Sequence, residues 1–99
     1  MKLFVSQPMR DKTDEEISLE RAKAVLDVTK KIEAPIIVME SFFGKAPFKD
    51  NPLWYLGESI KLLSEADVVY FCKDWEKYDG CTIEHECAVR YGKKCIYAN

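Results

Sequence analysis

Apolar residues fall into four short runs along this chain, separated by stretches in which they recur every three or four positions. The first run spans residues 2–6 and stops at Gln7-Pro8, which predicts a strand followed by a turn. Thr13-Asp14-Glu15-Glu16 then has the pattern of a capping box and opens a helix. Ile17, Ala24, Val25, Val28 and Ile32 keep helical spacing after it. Leu19, Ala22 and Leu26 widen that apolar face, which predicts contact with more than one neighbour. Residues 35–39 are nearly all apolar and predict a second strand of a buried parallel sheet. Residues 41–51 read as a loop rich in Phe, Gly, Lys and Pro. Pro52 suits the first turn of a second helix, with Leu53, Leu56, Ile60 and Leu63 as its buried stripe. Residues 68–72 predict a third strand, residues 73–80 a polar loop, and residues 95–97 a last strand after a third helix.

The order is therefore β-α-β-α-β-α-β over residues 1–99, with no linker or internal repeat. Such alternation predicts one α/β domain of three layers: a four-stranded parallel sheet, flavodoxin/Rossmann-like, with helices on both faces. Ligands of these sheets bind beyond the carboxyl ends of the strands, where the strand order reverses. The first and third strands are expected to flank that point.

Charge and composition narrow the chemistry. Net charge is -2 with the signs interspersed, so the basic stripe of a nucleic-acid binder is missing. No apolar run approaches the roughly 18 residues of a membrane span. Residues 1–8 lack the features of a signal peptide. The expected setting is the cytosol, with the four cysteines as free thiols rather than disulfides.

The tail carries the densest pattern: Asp79-Gly80-Cys81-Thr82-Ile83-Glu84-His85-Glu86-Cys87-Ala88-Val89-Arg90-Tyr91-Gly92-Lys93. Glu84 follows Gly80 by four residues and is expected in the first turn of the third helix. There the macrodipole and free N–H groups would keep its carboxylate ionised, the state a nucleophile needs. Glu40, Asp74, Asp79, Glu84 and Glu86 are acids placed to converge at the ligand edge. Phe4, Phe42, Phe43, Trp75 and Tyr78 supply aromatic walls in the same segments. Acids with aromatic walls suit a sugar joined to a flat base. A carboxylate can stabilise or trap the oxocarbenium-like state through which a glycosidic bond breaks. Solvated loop acids are the plainer reading of the same residues.

Gly80-x-x-x-Glu84-x-x-x-Ala88-x-x-x-Gly92-Lys93 resembles the signature of the nucleoside 2-deoxyribosyltransferase-like superfamily. Residues 2–9, ending Ser6-Gln7-Pro8-Met9, look like that family's opening strand and turn. Residues 64–69 look like the alanine-aspartate approach to its third strand. The chain is similar to a compact subfamily common in phages and prophages, which would place it in a bacterial host cytosol. The resemblance implies that Glu84 attacks the anomeric carbon of a (deoxy)ribosyl group, with transfer to water or to a second base. It implies contact with a nucleoside or nucleotide through Phe4, Ser6, Gln7, Pro8, Met9, Phe42, Phe43, Ser59, Asp74, Trp75, Tyr78 and Gly80. It also implies a homo-oligomer with sites near the subunit interface, and no cofactor. The chain departs from the pattern in three places. Phe4 stands where relatives carry a tyrosine that holds the nucleophile. Ser59, beside Glu58, stands where they carry an acid. Tyr78 or Asp79 stands where an Asp or Ser meets the sugar or phosphate, so Asp79 becomes a candidate acid.

Two further readings stay open on the sequence. One is a binder without turnover that sequesters a nucleotide-derived signal, ADP-ribose-like or cyclic, as a phage protein would. The other is an oligomeric interaction module, for which the wide first helix and the Trp54/Tyr55 pair suit an interface. Cys81, His85 and Cys87 do not make a zinc site, because Cys87 leaves the face shared by the other two and no second ligand pair follows. Ser6 and Gln7 offer backbone N–H groups to a phosphate or simply end a strand. Asp67 is expected to orient backbone where the third strand begins.

Overall fold

The computed structural model describes residues 1–41 and 51–99, so Phe42 and Phe43 lie outside the described residues. Its elements are β1 (Lys2–Ser6), α1 (Asp14–Lys31), β2 (Ile37–Val38), α2 (Pro52–Leu63), β3 (Val68–Phe71), a 3-10 turn (Trp75–Lys77), α3 (Asp79–Arg90) and β4 (Lys94–Tyr97). The strands form one all-parallel sheet in the order β2-β1-β3-β4. The chain steps one way from β1 to β2 and the other way from β1 to β3 and β4. The order thus reverses between β1 and β3, as the sequence predicts.

Strand alternation sorts the core into two layers. Leu3, Val5, Val68 and Tyr70 pack with Ala24 and Val28 of α1 on one face. Phe4, Val69 and Phe71 pack with Leu63 of α2 and Ala88 of α3 on the other. Opposite crossover directions require this split when every connection is right-handed. The result is the three-layer α/β arrangement.

Local sequence sets the helix boundaries. The Thr13 side chain accepts from Glu16 N–H, and the Glu16 carboxylate accepts from Thr13 N–H at 3.1 Å each, completing the capping box. Those contacts hold the Glu16 carboxyl below the usual range. Asn51 caps α2 by accepting from Trp54 N–H, with Pro52 at the first position. Asp67 accepts from Lys2 N–H at 2.7 Å, which ties the start of β3 to β1 as expected.

Several elements differ from the sequence reading. β2 has two paired residues rather than five, because it is an edge strand bonded only to β1; Ile37 is mostly exposed there. Leu53 is 74% exposed, so the buried side of α2 is carried by Leu63 with Leu56 and Ile60 half-buried. Leu19 and Leu26 are also exposed, so the widened face of α1 meets no second neighbour among the described residues. No described helix is long and apolar enough to cross a membrane.

The end of α3 explains part of the tail motif. Gly92 has φ +71, Gly92 N–H donates to Val89 C=O, and Lys93 N–H donates to Ala88 C=O. This is a Schellman stop, for which glycine is the natural residue. Lys93 then extends its ammonium across to the end of α2. It donates to Ser64 C=O at 2.9 Å and Ala66 C=O at 2.7 Å. Ala88 is fully buried against the sheet. Three of the motif's residues therefore build the frame that holds α2 beside α3. Lys93→Met is expected to cost about 1–2 kcal/mol by leaving those carbonyls unpaired. For a domain of this size that is a fall in Tm of roughly 4–16 °C, readable by thermal denaturation; an unchanged Tm would refute the clamp.

Candidate functional site

The carboxyl end of β1, Ser41 beyond β2, one side of α2 and the first half of α3 surround an open cavity of about 410 Å³. Ser6 is the last residue of β1 and shares its face with Phe4, two positions earlier. Both side chains therefore turn toward α2 and α3. The Ser6 hydroxyl donates to Glu84 Oε1 at 2.6 Å. Ser59, on α2, lines the cavity together with Glu84. Glu84 is 7% exposed and Ser6 1%. The carboxyl thus joins α3 to the end of β1.

α3 begins at Asp79, so Gly80 lies inside the helix and Glu84 in its second turn rather than its first. The sequence reading of Glu84 as a helix-start carboxylate is corrected accordingly. Its electrostatics change with that shift. Burial pushes the Glu84 carboxyl above the usual carboxylate range, although Ser6 and Ser59 both pull it down. Desolvation outweighs the two hydroxyls. Asp79 takes the first-turn position.

The cavity is lined by many of the expected residues: Phe4, Gln7, Pro8, Met9, Ser59, Tyr78, Asp79, Gly80 and Glu84. Ser6 supports it from behind Glu84. Gln7 reaches the cavity from the β1 end, but its side chain turns to the opposite layer, where the amide donates to Ile17 C=O and Glu20 Oε1. Three expected residues among those described do not line the cavity: Ser6, which lies beneath it on Glu84, Asp74 and Trp75. Asp74 has φ +67 and pairs with Lys77 at 3.4 Å. Trp75 packs against Phe71 and His85, with ring centroids 5.3 and 4.2 Å apart. The 3-10 turn carries Trp75 toward Tyr97 of β4. His85 joins that group through a 2.7 Å hydrogen bond with the Tyr97 hydroxyl. Of the other acids, Glu86 pairs with Arg90 on the exposed side of α3. No group of His, Cys, Asp or Glu among the described residues is arranged to hold a metal ion.

The structure adds residues that the sequence reading did not assign to a ligand. Tyr55 and Leu56 line the cavity, with Pro52, Arg10, Ser41 and Cys81. Tyr55 was expected to serve packing or an interface; it meets Trp54 edge-on but also reaches the cavity. Its signal was available: Pro52, Tyr55, Leu56 and Ser59 follow helical spacing on one face. Ser41 is held by Arg21, whose guanidinium donates to the Ser41 hydroxyl at 2.8 Å and also to Met39 C=O. Cys81 is a buried thiol pushed up to about 11 by desolvation, which makes it a poor nucleophile.

The arrangement combines one buried carboxyl, apolar and aromatic walls, and a second acid and a guanidinium among the lining residues. That set suits a ligand with a flat apolar part and a polar, hydroxylated part. A raised folded value means the folded state holds the Glu84 proton more tightly than the unfolded chain does. Stability therefore falls as pH climbs from the ordinary value of 4.5 through the folded one. Glu84→Gln removes that cost. It is expected to have a higher Tm than the parent at pH 8, with the gain shrinking as pH falls toward 4.5; a lower Tm at pH 8 would count against a strained buried carboxyl.

A family model described as a domain of unknown function (DUF4406) matches residues 1–97. Curated proteins and solved structures give no match.

Proposed function

The chain belongs to the DUF4406 family, and from its cavity we propose that it binds a nucleoside or nucleotide and breaks or transfers the N-glycosidic bond. The observation that supports this reading is the buried Glu84 carboxyl, held by the Ser6 hydroxyl in an aromatic-walled cavity at the strand-order reversal. The base lies between the Phe4, Tyr55 and Tyr78 walls, and the sugar meets Glu84. One Glu84 oxygen bonds to the anomeric carbon as the C–N bond breaks. The bonding pair of electrons leaves with the base, which takes a proton from Asp79 or from water. Water or a second base then attacks the anomeric carbon and frees the carboxylate. The resemblance of Gly80, Glu84, Ala88, Gly92 and Lys93 to the deoxyribosyltransferase-like signature points the same way.

A second reading is favoured by the same burial. A carboxyl raised by burial keeps its proton to a higher pH than an ordinary one, and the protonated form donates a hydrogen bond but does not attack carbon. The chain is then a binder of a nucleotide-derived molecule that leaves it intact.

Incubation with a panel of nucleosides, nucleotides and NAD-like dinucleotides separates the two. Turnover is expected as release of free base, measured chromatographically. Glu84→Ala is expected to lower it by roughly 10³-fold or more. The rate is expected to rise with pH through an acid limb set above the ordinary carboxylate value, since only ionised Glu84 attacks. Recovery of every compound unchanged, with tight binding of one of them, would establish the binder instead.

A further inference from the structure

Glu84 is tied down from outside its own helix. Ser6 belongs to β1, and its hydroxyl donates to the Glu84 carboxyl; Ser59, on α2, lines the same cavity. Phe4 has no hydroxyl to offer, and it fills the β1 position that, by the resemblance above, carries the nucleophile-holding tyrosine elsewhere. Strand periodicity returns the next side chain on that face two residues later, at Ser6. Its hydroxyl is buried, and the structure pairs it with Glu84 at 2.6 Å. An ionised carboxylate offers about four acceptor sites. The Ser6 hydroxyl uses one of them and leaves the rest for a ligand.

We infer that Ser6 is a positioning residue: its hydroxyl fixes the Glu84 carboxyl against the end of β1. The inference rests on Glu84 being the group that meets the ligand, but its effect on the carboxyl itself can be read without turnover. The Ser6 and Ser59 hydroxyls favour the charged form, while burial opposes it. The other ionisable groups lining the same cavity are Cys81 on α3, Asp79 and Tyr78 at its start, Tyr55 on α2 and Arg10 after β1. All of these remain in place when a serine is changed. A serine that merely fills space would leave the Glu84 titration where it is.

The test is a carbon NMR titration of the Glu84 side-chain carboxyl in protein labelled at glutamate, with Glu84→Gln identifying its signal. Ser6→Ala, Ser6→Cys and Ser6→Thr are compared with the parent. Ser6→Ala is expected to move the Glu84 midpoint upward by about 0.5–1 pH, the equivalent of one lost hydrogen bond. Ser6→Cys fills the same space with a weaker donor, so its midpoint is expected to rise as well, and it reads the effect even where Ser6→Ala fails to fold. Ser6→Thr, which keeps the hydroxyl, is expected to hold the parent midpoint. On any compound that the panel shows to be turned over, Ser6→Ala is expected to lower kcat by roughly 10–100-fold with KM changed much less. A midpoint that stays put or falls in folded Ser6→Ala or Ser6→Cys overturns the inference, whatever the panel shows. A panel without base release, with the midpoint moved as expected, overturns the glycosidase reading alone.

Discussion

The carboxyl of Glu84 is the constraint around which the rest of the site is arranged. A carboxyl buried to this degree is costly unless its oxygens are hydrogen-bonded. α3 cannot satisfy it alone, because the backbone donors of the second turn are already used within the helix. The partners must come from neighbouring elements. Ser6 supplies one from the end of β1. That bond fastens β1 to α3 at one point, beside Ser59 of α2. The two serines moderate the desolvation of Glu84 without cancelling it.

The sheet order makes that meeting possible. β1 and β3 are adjacent and parallel, and the connections leave them toward opposite faces. α2 and α3 both run from the carboxyl edge of the sheet to its amino edge, so their N-terminal ends share the space beyond β1. The four cysteines take no part in holding this together as disulfides; all are free thiols. Cys72, buried below the sheet edge, is pushed up to about 12 by desolvation. Packing and backbone hydrogen bonds carry the fold instead.

Much of this was legible in the residues. The four apolar runs and the alternation between them gave the layer order, because periods of two and near four distinguish strand from helix. The Thr13 capping box and Pro52 marked helix starts by mechanisms that act within one turn. Elements decided by neighbours were harder to read. Residues 35–39 look like a central strand in composition, yet β2 lies at the edge and pairs over two residues. The start of α3 was misplaced because Gly80 suggested a loop. The helix takes it in as its second residue, where backbone freedom costs little. Asp74 and Trp75 were assigned to the ligand edge by their position after β3. The 3-10 turn carries Trp75 toward β4, and no pattern of charge or hydropathy announces that turn. Tyr55 reads as packing or interface for the opposite reason: a surface aromatic on a helix looks that way until the facing elements are known.

The clamp at the far end of the two helices has a mechanical side. Lys93 grips the C-terminal end of α2 from just beyond the C-terminal end of α3. Ser59 and Glu84 lie farther back along the same two helices, the eighth of twelve residues in α2 and the sixth of twelve in α3. Six residues separate Glu84 from the end of α3, roughly 9 Å at the helical rise. An ammonium bridging two carbonyls therefore works as a spacer: it fixes how far apart two helices stand whose side chains form the wall of the cavity. The lysine that closes the tail motif braces that wall from outside it.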